Sequence, residues 1–170
     1  MNNKNIFLIG MMGSGKSTVG HLLSSKIKIP FFDMDNELEK LIDMSINEIF
    51  ANYGEERFRL IESSFFNEIT KVNQYVYATG GGIILNKNNQ NILKKSGTTF
   101  FLDTSRETLI HRLENDTRKR QILQNNIPLN IPKILNKRYN LYSEVAHCII
   151  KTDKLNPVDI TNQIIKYCNA

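Results

Sequence analysis

Cysteine, histidine and long apolar runs are all scarce in this chain. Of its 170 residues two are cysteines, Cys148 and Cys168, far apart and in no Cys-x-x-Cys. Neither a disulfide scaffold nor a thiolate zinc site is indicated, and a reducing cytoplasm is the expected compartment. The three histidines, His21, His111 and His147, lack metal-ligand spacing and read as structural. No apolar run approaches the ~18 residues that a membrane-spanning helix needs, so no membrane association is expected. The apolar stretch "NIFLIG" near the start runs straight into a glycine-rich loop with no small-residue cleavage site. It reads as a buried strand, not a signal-peptide core. With no internal repeat, low-complexity tract or linker, residues 1–170 are expected to form a single domain.

Hydrophobic residues make up 41% and charged residues 23%, which excludes a disordered chain. The net charge is +5. Lysines and arginines are spread along the chain, and only "RKR" at 118–120 forms a tight cluster. No nucleic-acid recognition motif accompanies the charge, so nucleic acid is not an expected partner. A solvated basic surface and a site for anionic small molecules both remain open.

Strand and helix patterns alternate. "NIFLIG", "IPFFDMD", "YVYATGGG", "TTFFLD" and "HCIIKT" read as five strands. Helical spacing covers 17–27, about 35–42, 45–53 and 55–72, then 88–95, 105–113, about 132–145 and 157–167. Gly54 punctuates the pair after "DMD". Ser45 with Glu48 looks like a capping box, Ser105 like a cap, and Pro157 like a helix start. The alternation predicts a three-layer α/β/α fold with a five-stranded parallel sheet. The polar stretch "ENDTRKRQILQNNIPLNIP" has no clear period and reads as a mobile segment.

"GMMGSGKS", Gly10 to Ser17, fits G-x-x-x-x-G-K-[ST] between a strand and a helix. Such a loop turns its N–H groups toward phosphate oxygens, helped by the helix N-terminus. Lys16 can reach the β- and γ-phosphates of a nucleotide, and Ser17 can offer its hydroxyl to Mg²⁺. The acceptor has to be sought elsewhere. Asp33 and Asp35 in "FFDMD" stand two apart at a strand end and so point the same way. One suits a cation, the other a hydroxyl acceptor. Asp35 also fits as a plain helix cap. In "GEERFRLIE" Arg59 and Glu62 lie one helical turn apart and can pair, which would anchor Arg59 as a carboxylate fork. Arg57 fits a solvated surface equally well. "TGGG", Thr79 to Gly82, allows close backbone approach to a ligand or simply a tight turn. The basic segment "RKRQIL" suits a closing lid, roughly 114–126, that brings an arginine to the transferring phosphoryl group; a solvated loop is the alternative. Arg138 fits a surface charge or a second anion clamp.

In order, "GMMGSGKS", "DMD", "GEERFRLIE", "TGGG", "RQIL", "RYNLYSEVA" and "TDKLNP" resemble the shikimate kinase family over nearly the whole chain. The resemblance implies a P-loop fold of the nucleoside-monophosphate-kinase type with a mobile lid. It implies ATP-dependent phosphorylation of the 3-hydroxyl of shikimate, a step toward chorismate and the aromatic amino acids. By the same resemblance Gly13, Ser14, Gly15, Lys16, Ser17 and Thr18 hold ATP, with Arg112, Asn156 and Pro157 on its adenine side. Ser17 and Asp33 serve Mg²⁺. Asp35, Arg59, Gly80, Gly81, Gly82 and Arg138 hold shikimate, with the two arginines on its carboxylate. Lys16, Asp35 and Arg120 carry the catalysis. The family usually has proline after the lid arginine; Gln121 stands here. A monomer is expected. Another small-molecule P-loop kinase, such as a gluconate kinase, and a non-catalytic ATP-binding protein are the alternatives.

Overall fold

The structure, a computed structural model, describes residues 4–116 and 126–169. Strands β1 (Asn5–Ile9), β2 (Phe31–Asp33), β3 (Val76–Ala78), β4 (Gly97–Asp103) and β5 (Cys148–Lys151) form one sheet. All their pairings are parallel, in the order β2-β3-β1-β4-β5. The described helices are α1 (Lys16–Ile27), α2 (Met34–Ile42), α3 (Ile46–Ile69), α4 (Lys87–Lys95), α5 (Arg106–Glu114), α6 (Ile127–Val145) and α7 (Pro157–Asn169). A 3₁₀ turn occupies Ile83–Leu85.

The alternating side chains of each strand explain the layers. Phe7 and Ile9 of β1 point to one face, where Tyr77 and Phe101 join Phe66 of α3, Leu93 of α4, Leu109 of α5 and Tyr142 of α6. Ile6 and Leu8 point to the other, where Val76, Phe100 and Leu102 meet Val19 and Leu23 of α1 and Ile160 and Ile164 of α7. β1 is therefore covered on both sides, which is why it reads as an unbroken apolar run. Each fully buried ring or branched chain contributes about 1.5–3 kcal/mol. A smaller cluster, Leu38, Ile49 and Phe58, joins α2 to α3.

The expected three layers and five strands are present. The expected capping box at Ser45 and Glu48 is formed, and Ser105 caps α5 through the Thr108 N–H. Gly54 punctuates as expected: inside α3 it takes φ 77°, ψ 170°. The two helical stretches of α3 therefore meet at a break, not in a straight rod.

Two expectations are corrected. Helix α6 begins at Ile127, five residues before the expected start, because Asn126 accepts a hydrogen bond from the Leu129 N–H (3.2 Å) and Pro128 sits in the first turn. There a missing N–H costs nothing. Ile131, expected in a mobile stretch, is buried in the core. The expected lid, roughly 114–126, spans the interval between Glu114, which closes α5, and Asn126, which caps α6. Residues 117–125, with Arg120 and Gln121, lie outside the described residues.

The backbone at Gly54 lies in a region essentially reserved for glycine, and a Cβ there would meet nothing within 4 Å. Strain alone is thus at stake. Gly54→Ala is expected to destabilise the protein by about 1–3 kcal/mol, read as a lowered Cm in urea unfolding; an unchanged Cm would refute the break.

Candidate active site

Parallel pairing brings the C-terminal ends of β1, β2 and β3 to one sheet edge. The loop after β1 carries "GMMGSGKS". Gly10, Gly13 and Gly15 all have positive φ, at 144°, 81° and 92°. Gly15 is the N-cap of α1 and gives no side-chain hydrogen bond to the first turn. The leading N–H groups of α1 thus remain oriented for an anion. Lys16 is buried and its Nζ donates to the Gly10 and Met11 carbonyls at 2.9 and 2.8 Å. The Ser14 hydroxyl is buried without a hydrogen-bond partner among the described residues.

Asp33 and Asp35 do not share a strand face, as their spacing had suggested. Asp33 ends β2 and is itself the N-cap of α2: its Oδ1 accepts the Asn36 N–H at 3.3 Å. Its Oδ2 accepts the Ser17 hydroxyl at 2.6 Å. Asp35 lies in the first helical turn, where 3.6-residue geometry has replaced the strand alternation. The cap considered for Asp35 belongs to Asp33. Asp35 is instead turned to the loop after β3, since a Cβ on Gly80 would lie 2.9 Å from its Oδ1.

Arg59 and Glu62 pair as their spacing predicts, Nη1 to Oε2 at 2.7 Å, and Glu55 adds a 3.1 Å contact. The guanidinium lies over the rings of Phe58 and Phe50, 5.0 and 5.8 Å from their centroids. Burial pushes the Glu62 carboxyl above its usual range, against the pull of Arg59. Burial alone would lower Arg59, but Glu62 and Glu55 hold it above its ordinary value. Arg59 is therefore a fixed cation. Arg57 is exposed.

The triple glycine is closely surrounded, by side chains of the site at Gly80 and Gly82 and by backbone at Gly81. A Cβ at Gly80 would sit 2.6 Å from Glu62 Oε1, and one at Gly82 2.3 Å from Arg59 Cζ. At Gly81 it would crowd the Met12 N at 3.3 Å. The loops after β1 and β3 thus touch backbone to backbone. Arg138 of α6 is buried and its Nη1 donates to the Gly81 carbonyl at 3.1 Å.

On the other side of the glycine-rich loop, Arg112 of α5 donates to the Gly13 carbonyl at 3.1 Å. Asp153 ties α5 in place by accepting from the hydroxyls of Ser105 and Thr108, both at 2.6 Å. Hydrogen bonds from these groups hold the Asp153 carboxyl below its usual range despite partial burial. Asn156 uses its side-chain oxygen to cap α7, accepting the Val158 and Asp159 N–H groups at 2.9 and 3.0 Å.

These groups surround one cavity of about 990 Å³. Its lining includes Gly13 through Thr18, Asp33, Asp35, Arg59, Gly80, Gly81, Gly82, Arg112, Arg138 and Pro157. Asn156 is not part of that lining, and Arg120 lies outside the described residues. Glu62, Phe50 and Phe58 also face the cavity and were not among the expected site residues. The i,i+3 spacing to Arg59 was a signal for Glu62; the two aromatics have no sequence signal beyond their place on an amphipathic helix. Among the described residues no three His, Cys, Asp or Glu gather as a metal site.

Sheet order, loop and helix N-terminus together define a P-loop α/β fold of the nucleoside-monophosphate-kinase type. A family model described as shikimate kinase matches residues 12–169, and the chain belongs to that family. A shikimate kinase of Thermodesulfovibrio yellowstonii is 40% identical over 163 residues, 96% of this chain and 94% of that protein. The structure of "Shikimate kinase from Acinetobacter baumannii in complex with shikimate" aligns with TM-score 0.93 at 34% identity, covering 98% of this chain and 93% of the other. A shikimate kinase structure from Aquifex aeolicus aligns with TM-score 0.80, also at 34% identity, covering 97% and 96%.

Since the Gly82 clash is with a flexible guanidinium and not with backbone, Gly82→Ala is expected to keep the fold and displace Arg59. Loss of a charged hydrogen bond predicts a rise of about tenfold or more in the KM for a carboxylate substrate. Steady-state kinetics beside a thermal melt checks this; an unchanged KM would mean that Arg59 does not contact the acceptor.

Proposed function

We propose that the chain transfers the γ-phosphoryl group of ATP to the 3-hydroxyl of shikimate, giving shikimate 3-phosphate and ADP, on the way to chorismate and the aromatic amino acids. One observation carries the reading: Asp35, Arg59 and Arg138 line the same cavity as the glycine-rich loop. Two buried or half-buried arginines beside a carboxylate suit a small acid that also bears hydroxyls. They do not suit the base of a nucleotide acceptor as well; gluconate is a hydroxy acid too, and the assay below separates it from shikimate.

Each group then has a task. The N–H groups of residues 13–18 and Lys16 cradle the phosphates of ATP. Arg112 and Pro157 border the nucleotide's adenine side. Arg59 and Arg138 take the acceptor carboxylate as planar forks, and the backbone at Gly80–Gly82 lets the ring come close. Asp35 accepts the proton of the attacking hydroxyl. The oxygen then bonds to the γ-phosphorus as the bond to the β-γ bridging oxygen breaks, and ADP leaves. Little covalent work falls on the protein, so positioning and charge neutralisation supply the rate.

Ser17 and Asp33 would hold Mg²⁺, which takes one or two protein oxygens and completes its shell with phosphates and water. A hydroxyl already 2.6 Å from a carboxylate fits that demand. When bound, the ion neutralises charge on the β- and γ-phosphates. We propose a monomer, because the glycine-rich loop and the acceptor-binding groups close one cavity within a single chain. No described helix is long and apolar enough to cross a membrane, and we place the reaction in the cytoplasm, where both thiols stay reduced.

ADP release is the direct test, with ATP, Mg²⁺ and either shikimate or gluconate. Release that depends on shikimate is expected; release with gluconate alone would move the chain to another acceptor. Asp35→Asn should leave shikimate binding nearly intact and lower kcat by about 10²–10⁴. An unchanged kcat would remove Asp35 from the proton transfer.

A further inference from the structure

Tyr142 lies one helical turn beyond Arg138 on α6 and is fully buried. Its ring stacks on Phe101, with centroids 5.0 Å apart. A phenylalanine would pack there as well, so packing does not explain the hydroxyl. That hydroxyl donates to the Gly81 carbonyl at 2.5 Å. The same carbonyl accepts Arg138 Nη1, and the Arg138 guanidinium also faces the phenol oxygen. The hydroxyl also contacts the Sδ of Met11, which follows Gly10 in the glycine-rich loop, at 3.7 Å. Burial pushes the phenol up to about 12, so it remains a neutral donor at any working pH.

We propose that Tyr142 is a positioning residue for the acceptor: its hydroxyl fixes the Gly81 peptide and, through it, the angle at which Arg138 presents its guanidinium to the substrate carboxylate. Two donors on one carbonyl restrict the orientation of that peptide. Gly81 lies between Gly80, packed on Asp35, and Gly82, packed under Arg59. A rotation of this one peptide would disturb the acid-binding groups together. None of this makes Tyr142 a catalytic residue, since it touches neither substrate.

The inference rests on the shikimate kinase reading, and its test separates the two. Shikimate and ATP affinities would be measured by calorimetry, with kcat and KM alongside, for the wild type, Tyr142→Phe and Tyr139→Phe. Tyr139 is the control on the same helix; its hydroxyl donates to Asp103 at 3.3 Å. Tyr142→Phe removes one oxygen and leaves the Gly81 carbonyl its Arg138 donor. Its circular dichroism should match the wild type. The Kd and KM for shikimate should rise about 5–30-fold, as for loss of a buried hydrogen bond. The Kd for ATP and the kcat at saturation should change less than about threefold, within the reach of a weak sulfur contact. Tyr139→Phe should leave shikimate binding unchanged. Wild-type protein that does not bind shikimate would overturn the functional reading itself. Where the wild type binds, the positioning role is overturned by equal shikimate affinity in Tyr142→Phe or by equal losses for both substrates. The same loss in Tyr139→Phe, or an unfolded Tyr142→Phe, would equally assign the hydroxyl to the core.

Discussion

Much of the site depends on the pairing of β1 with β3. Leu8 stands beside Ala78 in parallel register, and the Thr79 N–H and hydroxyl both donate to the Leu8 carbonyl, at 3.2 and 3.1 Å. That places the turn after β3 directly on the turn after β1. Gly81 meets Met12 and Gly10 backbone to backbone, so closely that a Cβ there would lie 3.3 Å from the Met12 N and press the two loops apart by a few tenths of an ångström. The two loops that line the shared cavity are thereby set by the strand pairing.

The second constraint is charge in a half-dry space. Glu62 is buried where an unpaired carboxylate would be severely destabilising. Arg59 offsets that at 2.7 Å, and Glu55 and two aromatic faces complete the arginine's surroundings. This arrangement fixes the direction of the guanidinium before any substrate arrives, so little rotamer freedom is left to lose on binding. It also demands glycine at 80 and 82, because carboxylate and guanidinium lie where Cβ atoms would be. The triple glycine is thus explained by the protein's own charges as much as by a ligand.

Outside this pair of loops, the helices serve as supports. Asp153 holds the start of α5, which aims Arg112 at the Gly13 carbonyl. Helix α6 brings Arg138 and Tyr142 to the Gly81 carbonyl on one face. Asn156 fixes the start of α7 beside the same cavity. The polar side chains that hold these helices stand at their ends, where backbone groups need partners.

The order of strands and helices, the glycine-rich loop and the Arg59–Glu62 pair were legible in the sequence. Each is local: period two against period 3.6, a fixed spacing of glycines, a partner one turn away. Tertiary structure decided the rest. Asp35 needed α2 to begin at Asp33 before it could face Gly80 and not the strand's other side. Helix α6 needed Ile131 to find the core before a proline-rich polar stretch could be helical. Arg138, ambiguous in the sequence, became a site residue because Gly81, 57 positions earlier, offers it a carbonyl. Local pattern fixes the elements through sterics and hydrogen-bond geometry. Which side chains meet across the sheet edge depends on contacts between distant segments, and those exist only once the layers have packed.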